Sequence, residues 1–159
     1  DYRQGAPISR LESSGGRVTV ACRAGSSREE RILAEHVVVA TGRFFGGGLE
    51  ASQQGVRETL LDLSVEAPAD RDNWHMASFL GAPGHPIHRV GVRVDTSLRP
   101  VGPDGGPVYE NVFVAGAVLA CHDWVREKSG AGISVATGHA VIESVLAHRG
   151  PGRTGRGEA

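Results

Sequence analysis

Three short stretches carry residues with the backbone freedom or the charge to hold a ligand. The run His36-Val37-Val38-Val39-Ala40-Thr41-Gly42 is an apolar strand signal that ends on glycine. Val108 to Gly116 repeats the pattern and also ends on glycine, and Gly130-Ala131-Gly132 opens an apolar stretch of helical spacing. In open α/β sheets, ligands sit beyond the carboxyl ends of the strands. A glycine there lets the backbone approach a phosphate or a ring. A helix N-terminus adds unpaired N–H groups and a partial positive charge. Either piece alone reads equally well as a plain strand end or a tight helix entry. Both in this order, roughly 70 residues apart, favour a nucleotide-type ligand.

Other chemistry-bearing residues point elsewhere. Cys121-His122-Asp123 are sequence neighbours, whose side chains diverge, whereas triads are assembled from distant positions. Asp123 reads better as a ligand to a hydroxyl or as a turn residue. His85-x-x-His88 has no second pair at metal-ligand spacing, so it reads as a loop histidine pair. Arg99 and His85 read first as a solvated arginine and a turn histidine, and second as contacts for an anionic substrate or a partner. Trp74 and Trp124 read as core or interface anchors.

The elements that must position these residues are legible. Ile8 to Cys22 reads as two strands around Gly15-Gly16, with Val18, Val20 and Cys22 on a buried face. Gly25 to Glu30 reads as a polar loop. Three consecutive valines at 37–39 predict a strand buried on both faces, as in a parallel sheet. Residues 43–110 are rich in proline and glycine and read as a loop-rich insertion, with a plausible strand at Val90–Val94. Ile133, Ala136, Ala140, Val141 and Ile142, then Val145 and Leu146, recur at helical spacing. Ser129 or Gly130 suits the N-cap, and Gly150-Pro151 stops the helix. The tail at 149–159 has no large apolar residue and reads as disordered.

Composition bounds the answer. The chain has 159 residues, 40% hydrophobic and 22% charged, which is a globular balance. A net charge of -1 and 5% aromatic residues give no electrostatic or stacking footprint for a nucleic acid. No unbroken apolar run approaches the ~20 residues of a membrane span. Cys22 and Cys121 are far apart, which argues against a disulfide framework and for a reducing compartment. The chain starts at Asp1 and carries no signal-peptide pattern, and it reads as a C-terminal fragment.

The motifs resemble a known family, the B subunits of anaerobic glycerol-3-phosphate dehydrogenase. Ala40 to Leu49 is similar to the family's A-T-G-x-F-F-x-G-G-L stretch. Gly55-Val56-Arg57-Glu58 resembles its G-I-R-E, and Gly91 to Pro100 its G-V-x-x-D-x-x-L-R-P. Asn111 to Leu119, with Asp123, resembles its N-L-F-A-x-G-x-V-L-G-G-x-D. The four motifs stand in the right order, and the resemblance covers roughly Ile32 to Ala147. The resemblance implies a flavin-binding fold related to the fumarate reductase and succinate dehydrogenase flavoproteins. It places Ala40, Thr41 and Gly42 by the pyrophosphate side, Gly116 and Ala117 by the ribityl chain, and Asp123 at a ribityl hydroxyl. The amides of Gly130, Ala131, Gly132 and Ile133 would face the flavin N1–C2=O edge. The flavin is FAD or FMN. Three departures stand out. Ser129 replaces a cysteine common before the last helix, Ala120-Cys121 replaces a glycine pair, and the Gly-x-Gly-x-x-Gly phosphate loop is missing.

The expectation is therefore an α/β fold: the C-terminal half of a Rossmann-like flavin-binding domain over 1–148, with the loop-rich segment inserted. The implied function is that of a flavoprotein subunit oxidising glycerol 3-phosphate and passing electrons towards a membrane quinone. The implied partners are two further proteins of the same complex, a sister dehydrogenase (its A subunit) and an iron–sulfur protein (its C subunit). The location is cytoplasmic, touching the membrane only through a partner. The alternatives are another FAD-dependent oxidoreductase of the fumarate reductase group and a non-catalytic scaffold for a partner dehydrogenase.

Overall fold

A computed structural model describes residues 4, 7–14, 17–24 and 28–148. The first three strands, β1 (Ile8–Ser14), β2 (Arg17–Ala24) and β3 (Arg28–Ala34), form an antiparallel meander. Alternation in β2 buries Val18 and Cys22 and half-buries Val20. The Gly15-Gly16 turn and the tail at 149–159 lie outside the described residues. β3 begins inside the run expected as polar loop. Glu29 and Glu30 pair along Arg23 and Cys22, because an outer antiparallel strand can keep one face in water and tolerates charge there.

β4 (Val37–Val39) is followed by a hairpin of β5 (Leu49–Ser52) and β6 (Gly55–Glu58). β7 (Val65–Glu66) pairs antiparallel with β8 (Gly91–Val92), and two 3-10 turns, Arg71–Asn73 and Pro86–Arg89, lie between them. β9 (Val112–Val114) then returns to lie parallel to β4, with Val37 opposite Val112. A 3-10 turn at Gly116–Val118, a short α1 (Trp124–Glu127) and a long α2 (Gly130–His148) complete the order. The segment at 43–110 is thus loop-rich but carries two small antiparallel pairs. The expected strand at 90–94 stops at Val92, because Val94 bridges Pro100 across a turn instead.

β9 is the strand around which the core is organised. Val112, Phe113 and Val114 are all essentially unexposed. Strand alternation sends Val112 and Val114 to one face, where they join Leu11, Val18 and Val39 and then Leu49, Leu63, Val90 and Val118. Phe113 and Ala115 take the other face, against Val141 of α2. The expectation of burial on both faces therefore holds for β9 and fails for β4, where Val38 is 41% exposed. β4 has a strand on one side only, so nothing described covers its outer edge.

α2 is docked at few points. Val141 is its one buried residue, while Val135, Ile142 and Leu146 are exposed. By length and composition alone α2 is apolar enough to cross a membrane, although Thr137, His139 and Glu143 interrupt its apolar run. Among the described residues both cysteines are free, and no group of three or more His, Cys, Asp or Glu is placed to hold a metal.

Candidate functional site

The parallel pairing of β4 and β9 sets their carboxyl ends side by side, with the Ala115 amide donating to the Val39 carbonyl at 3.0 Å. The chain leaves both strands through glycines in the left-handed region, Gly42 at φ +72° and Gly116 at φ +78°. That conformation costs an L-residue ~1 kcal/mol or more. α2 is then tied to the same end. Thr137 Oγ1 accepts from the Gly116 amide at 2.8 Å and donates to the Ile133 carbonyl one turn earlier at 2.5 Å. The structure thus brings Ala40–Gly42 beside Gly116 and Ala117, and Gly116 against the first turns of α2.

The helix entry differs in one detail from the sequence-based expectation. The Ile133 amide donates to the Ser129 carbonyl at 2.7 Å, so of the four amides only those of Gly130, Ala131 and Gly132 remain in the unpaired first turn. Ser129 caps through its carbonyl, and its hydroxyl goes to Glu127. A side chain added at Gly130 or Gly132 would meet no atom within 4 Å, so this face of the helix entry is open. These features fit a ligand whose negative edge lies over the helix N-terminus. The Thr41 hydroxyl fits less well: its Oγ1 is buried without a hydrogen-bond partner. A Cβ on Gly48 would come within 2.2 Å of it and 2.1 Å of the Gly42 carbonyl, so the triple glycine folds tightly back over Thr41.

Asp123 takes the turn role rather than an exposed ligand position. It is 4% exposed and caps α1, its Oδ1 accepting from the Arg126 amide at 3.2 Å while Glu127 Oε1 accepts from its own amide at 3.1 Å. His88 Nδ1 stands 3.8 Å away. His85 is a structural turn histidine. Its Nδ1 accepts from the Met76 amide and its Nε2 faces the Phe79 carbonyl. Arg99 is not simply solvated: it pairs with Asp95 at 2.9 Å and Glu110 at 2.6 Å. Burial raises the Asp95 carboxyl, but the Arg99 and Ser97 amides and the Arg99 guanidinium outweigh that and hold it below its ordinary value. Trp74 is buried and Trp124 is half-exposed.

Several residues that matter were not singled out from sequence. Arg43, directly after Gly42, is 7% exposed. Its guanidinium donates to the carbonyls of His88, Leu119 at 2.9 Å and His122 at 3.0 Å, and faces His122 Nδ1 at 3.3 Å. It therefore clamps the loop after β4 to the loop after β9. Burial lowers the Arg43 pKa, and Asp123 and Glu127 oppose the shift. Burial, then the charge on Arg43, also push the His122 imidazole below its ordinary value. Glu58 is 1% exposed and accepts from the amides of Leu60, Leu61 and Leu63. Asn111 Oδ1 accepts from Ser13 and ties the meander to β9. Glu58, Asp95 and Asn111 all stand in the resemblance motifs, and each holds backbone or a neighbouring element. Only the presence of a motif, not its chemistry, could have flagged them.

The comparisons with known proteins agree with this picture. The chain is 37% identical over 134 residues to the B subunit of the anaerobic glycerol-3-phosphate dehydrogenase of Vibrio cholerae, which covers 84% of this chain and 30% of that one. It is 36% identical over 107 residues to a probable B subunit of the same enzyme from Halobacterium salinarum, 67% of this chain and 25% of that one. A relative of the same name in Aliivibrio fischeri is 28% identical over 115 residues, 72% of this chain and 25% of that one. The chain thus spans less than a third of the length of these relatives. No solved structure matches it significantly. Residues 8–133 match the FAD binding domain family, a span that runs from β1 through the first turn of α2, and the chain belongs to that family of flavin-binding domains.

Proposed function

We propose that this chain is the C-terminal part of the Rossmann-like flavin-binding domain in the B subunit of an anaerobic glycerol-3-phosphate dehydrogenase. The observation that carries this reading is the meeting of two glycine-ended parallel strands with the open first turn of a 19-residue helix, in a chain whose relatives bear that name. Bound FAD supplies the two-electron oxidation of an alcohol, which no side chain can perform. The chain's own residues hold it. The amides of Gly130, Ala131 and Gly132 donate towards the flavin edge that becomes anionic on reduction. Gly42, Gly116 and Ala117 keep the strand ends low enough for the ribityl and pyrophosphate portions. The substrate is glycerol 3-phosphate. Electrons leave through an iron–sulfur protein of the complex towards a membrane quinone, with a sister dehydrogenase in the same assembly. The assembly works in the cytoplasm at the inner face of the membrane.

Gly132→Val tests the site, because a side chain there meets no atom within 4 Å. In the full-length protein it is expected to reduce bound flavin per chain without unfolding the chain. Unaltered flavin absorbance sinks the assignment. The isolated 159-residue chain is expected to bind neither FAD nor FMN at micromolar concentration and to oxidise no glycerol 3-phosphate. Contacts to one part of a dinucleotide still cost its translational freedom. A yellow preparation with stoichiometric flavin refutes that.

A further inference from the structure

Ala115 and Gly116, the two residues that follow β9, send their amides to different elements. The Ala115 amide donates to the Val39 carbonyl at the end of β4 at 3.0 Å. The Gly116 amide donates to Thr137 Oγ1 on α2 at 2.8 Å. An amide can only donate, so the hydroxyl accepts here through a lone pair and its own proton goes elsewhere. It goes to the Ile133 carbonyl, four residues back, at 2.5 Å, an arrangement that threonine adopts readily in a helix. Thr137 is half-buried. The one buried residue of α2 is Val141, which packs with Phe113 and Ala115. A helix rises about 1.5 Å per residue, so Gly132, the last residue of the unpaired first turn, lies about 7.5 Å along the axis from Thr137 and about 13.5 Å from Val141. Without the hydroxyl, the lever from anchor to helix entry nearly doubles. The same tilt of the helix then carries the entry amides nearly twice as far.

We propose that Thr137 is a positioning residue for the flavin: its hydroxyl holds the entry amides of α2 over the flavin edge that becomes anionic on reduction, and so raises the midpoint potential of the bound flavin. The inference rests on the flavin reading above and deepens it. Fixed donors stabilise a developing charge because they need not reorganise when it appears, and such a constellation tolerates displacements of only ~0.5 Å. The oxidised flavin has no full charge on that edge, so it depends less on where the amides stand. Loss of the tie therefore weakens the hold on reduced flavin more than the hold on oxidised flavin. The potential reports the ratio of those two affinities. The gain of an anion at a helix N-terminus corresponds to a factor of about two to five, and a factor of about five is ~20 mV for a two-electron couple.

The test uses the full-length, flavin-loaded protein, titrated for its midpoint potential against a dye of known potential. Thr137→Val exchanges the hydroxyl for a methyl group of nearly the same size. It is expected to lower the potential by ~20 mV, about a fivefold loss of preference for reduced flavin, whereas Thr137→Ser keeps the wild-type value. Thr137→Ala and Thr137→Ser differ by the hydroxyl alone, and this pair carries the comparison where the valine variant does not fold. Val141→Ala loosens the apolar anchor and is expected to lower the melting temperature while leaving the potential in place. The proposal is overturned if the hydroxyl-free variants and Thr137→Ser agree within ~5 mV, or if Val141→Ala lowers the potential as much as loss of the hydroxyl does. Flavin in the wild-type protein is read first, by absorbance. A colourless wild-type protein overturns the flavin reading and this inference with it, whereas a yellow one whose potential ignores the Thr137 hydroxyl overturns this inference alone.

Discussion

Replacing Arg43 with methionine removes one side chain and leaves several acceptors without a donor. Met keeps roughly the length of the aliphatic stem, so the change is chiefly the loss of the guanidinium. Its partners at Leu119 and His122 belong to buried residues, and both of those carbonyls are bonded to Nη2. Leaving a buried carbonyl unpaired costs ~1–3 kcal/mol, so two of them cost ~2–6 kcal/mol. The His88 carbonyl and His122 Nδ1 add to this, whereas relief of the buried charge subtracts from it. A net loss of about 3 kcal/mol in unfolding free energy is expected, read from the urea midpoint at constant m-value. Arg43→Lys should recover less than half, because one ammonium cannot reach three carbonyls in the geometry of a planar fork. A loss below ~1 kcal/mol for the methionine variant would mean that the two loops are held by something other than this clamp.

Three further outcomes are expected. Gly48→Ala forces a Cβ to within 2.2 Å of Thr41 Oγ1 and of the Gly42 carbonyl, and should cost ~2–3 kcal/mol through backbone displacement, measured by thermal melting. Glu58→Ala strips the acceptor from three amides and should cost ~2–4 kcal/mol, with Glu58→Gln recovering part of it. Finally, His88 and His122 both have pKa values lowered chiefly by burial. Their stabilising effect is complete above the unfolded value of ~6.5. It is lost as pH falls from there towards the folded values, because the unfolded chain takes up protons that these two rings refuse in the folded protein. Chemical denaturation from pH 7.5 to pH 5 should show that decline, and it should be shallower in His122→Gln.

The local signals were read correctly where one physical preference dominated. Alternation placed β1 and β2, valine-rich runs placed β4 and β9, and the spacing from Ile133 to Leu146 placed α2. Parallel pairing sets the two glycine-ended strands side by side, and the Thr137 hydroxyl ties α2 to Gly116 at the end of the second. The failures arise where a partner elsewhere in the chain, near or far, overrides the local pattern. Arg28-Glu29-Glu30 has no strand signal of its own and becomes a strand through β2. Val38 is exposed because the cluster of Phe113, Ala115 and Val141 on that face does not reach it, and no run of valines can announce that. Arg43 looks like a solvated loop residue until Leu119 and His122, nearly eighty positions later, supply its acceptors. Asp123 caps α1 through Oδ1, a role that its place in a motif does not announce.

The pairing of β4 with β9 also sets an order of events for the growing chain. The meander closes contacts between residues that are near neighbours in sequence, whereas Val37 must wait for Val112, about 75 positions downstream. Closing a longer loop costs more entropy, and non-local pairings form slowly. During synthesis, β1 to β3 can therefore assemble first. The valines of β4 meet their partner only after the whole of the 43–110 segment has left the ribosome. Until then β4 lacks this partner, and chaperone demand should track the length of the insertion rather than the stability of the finished domain.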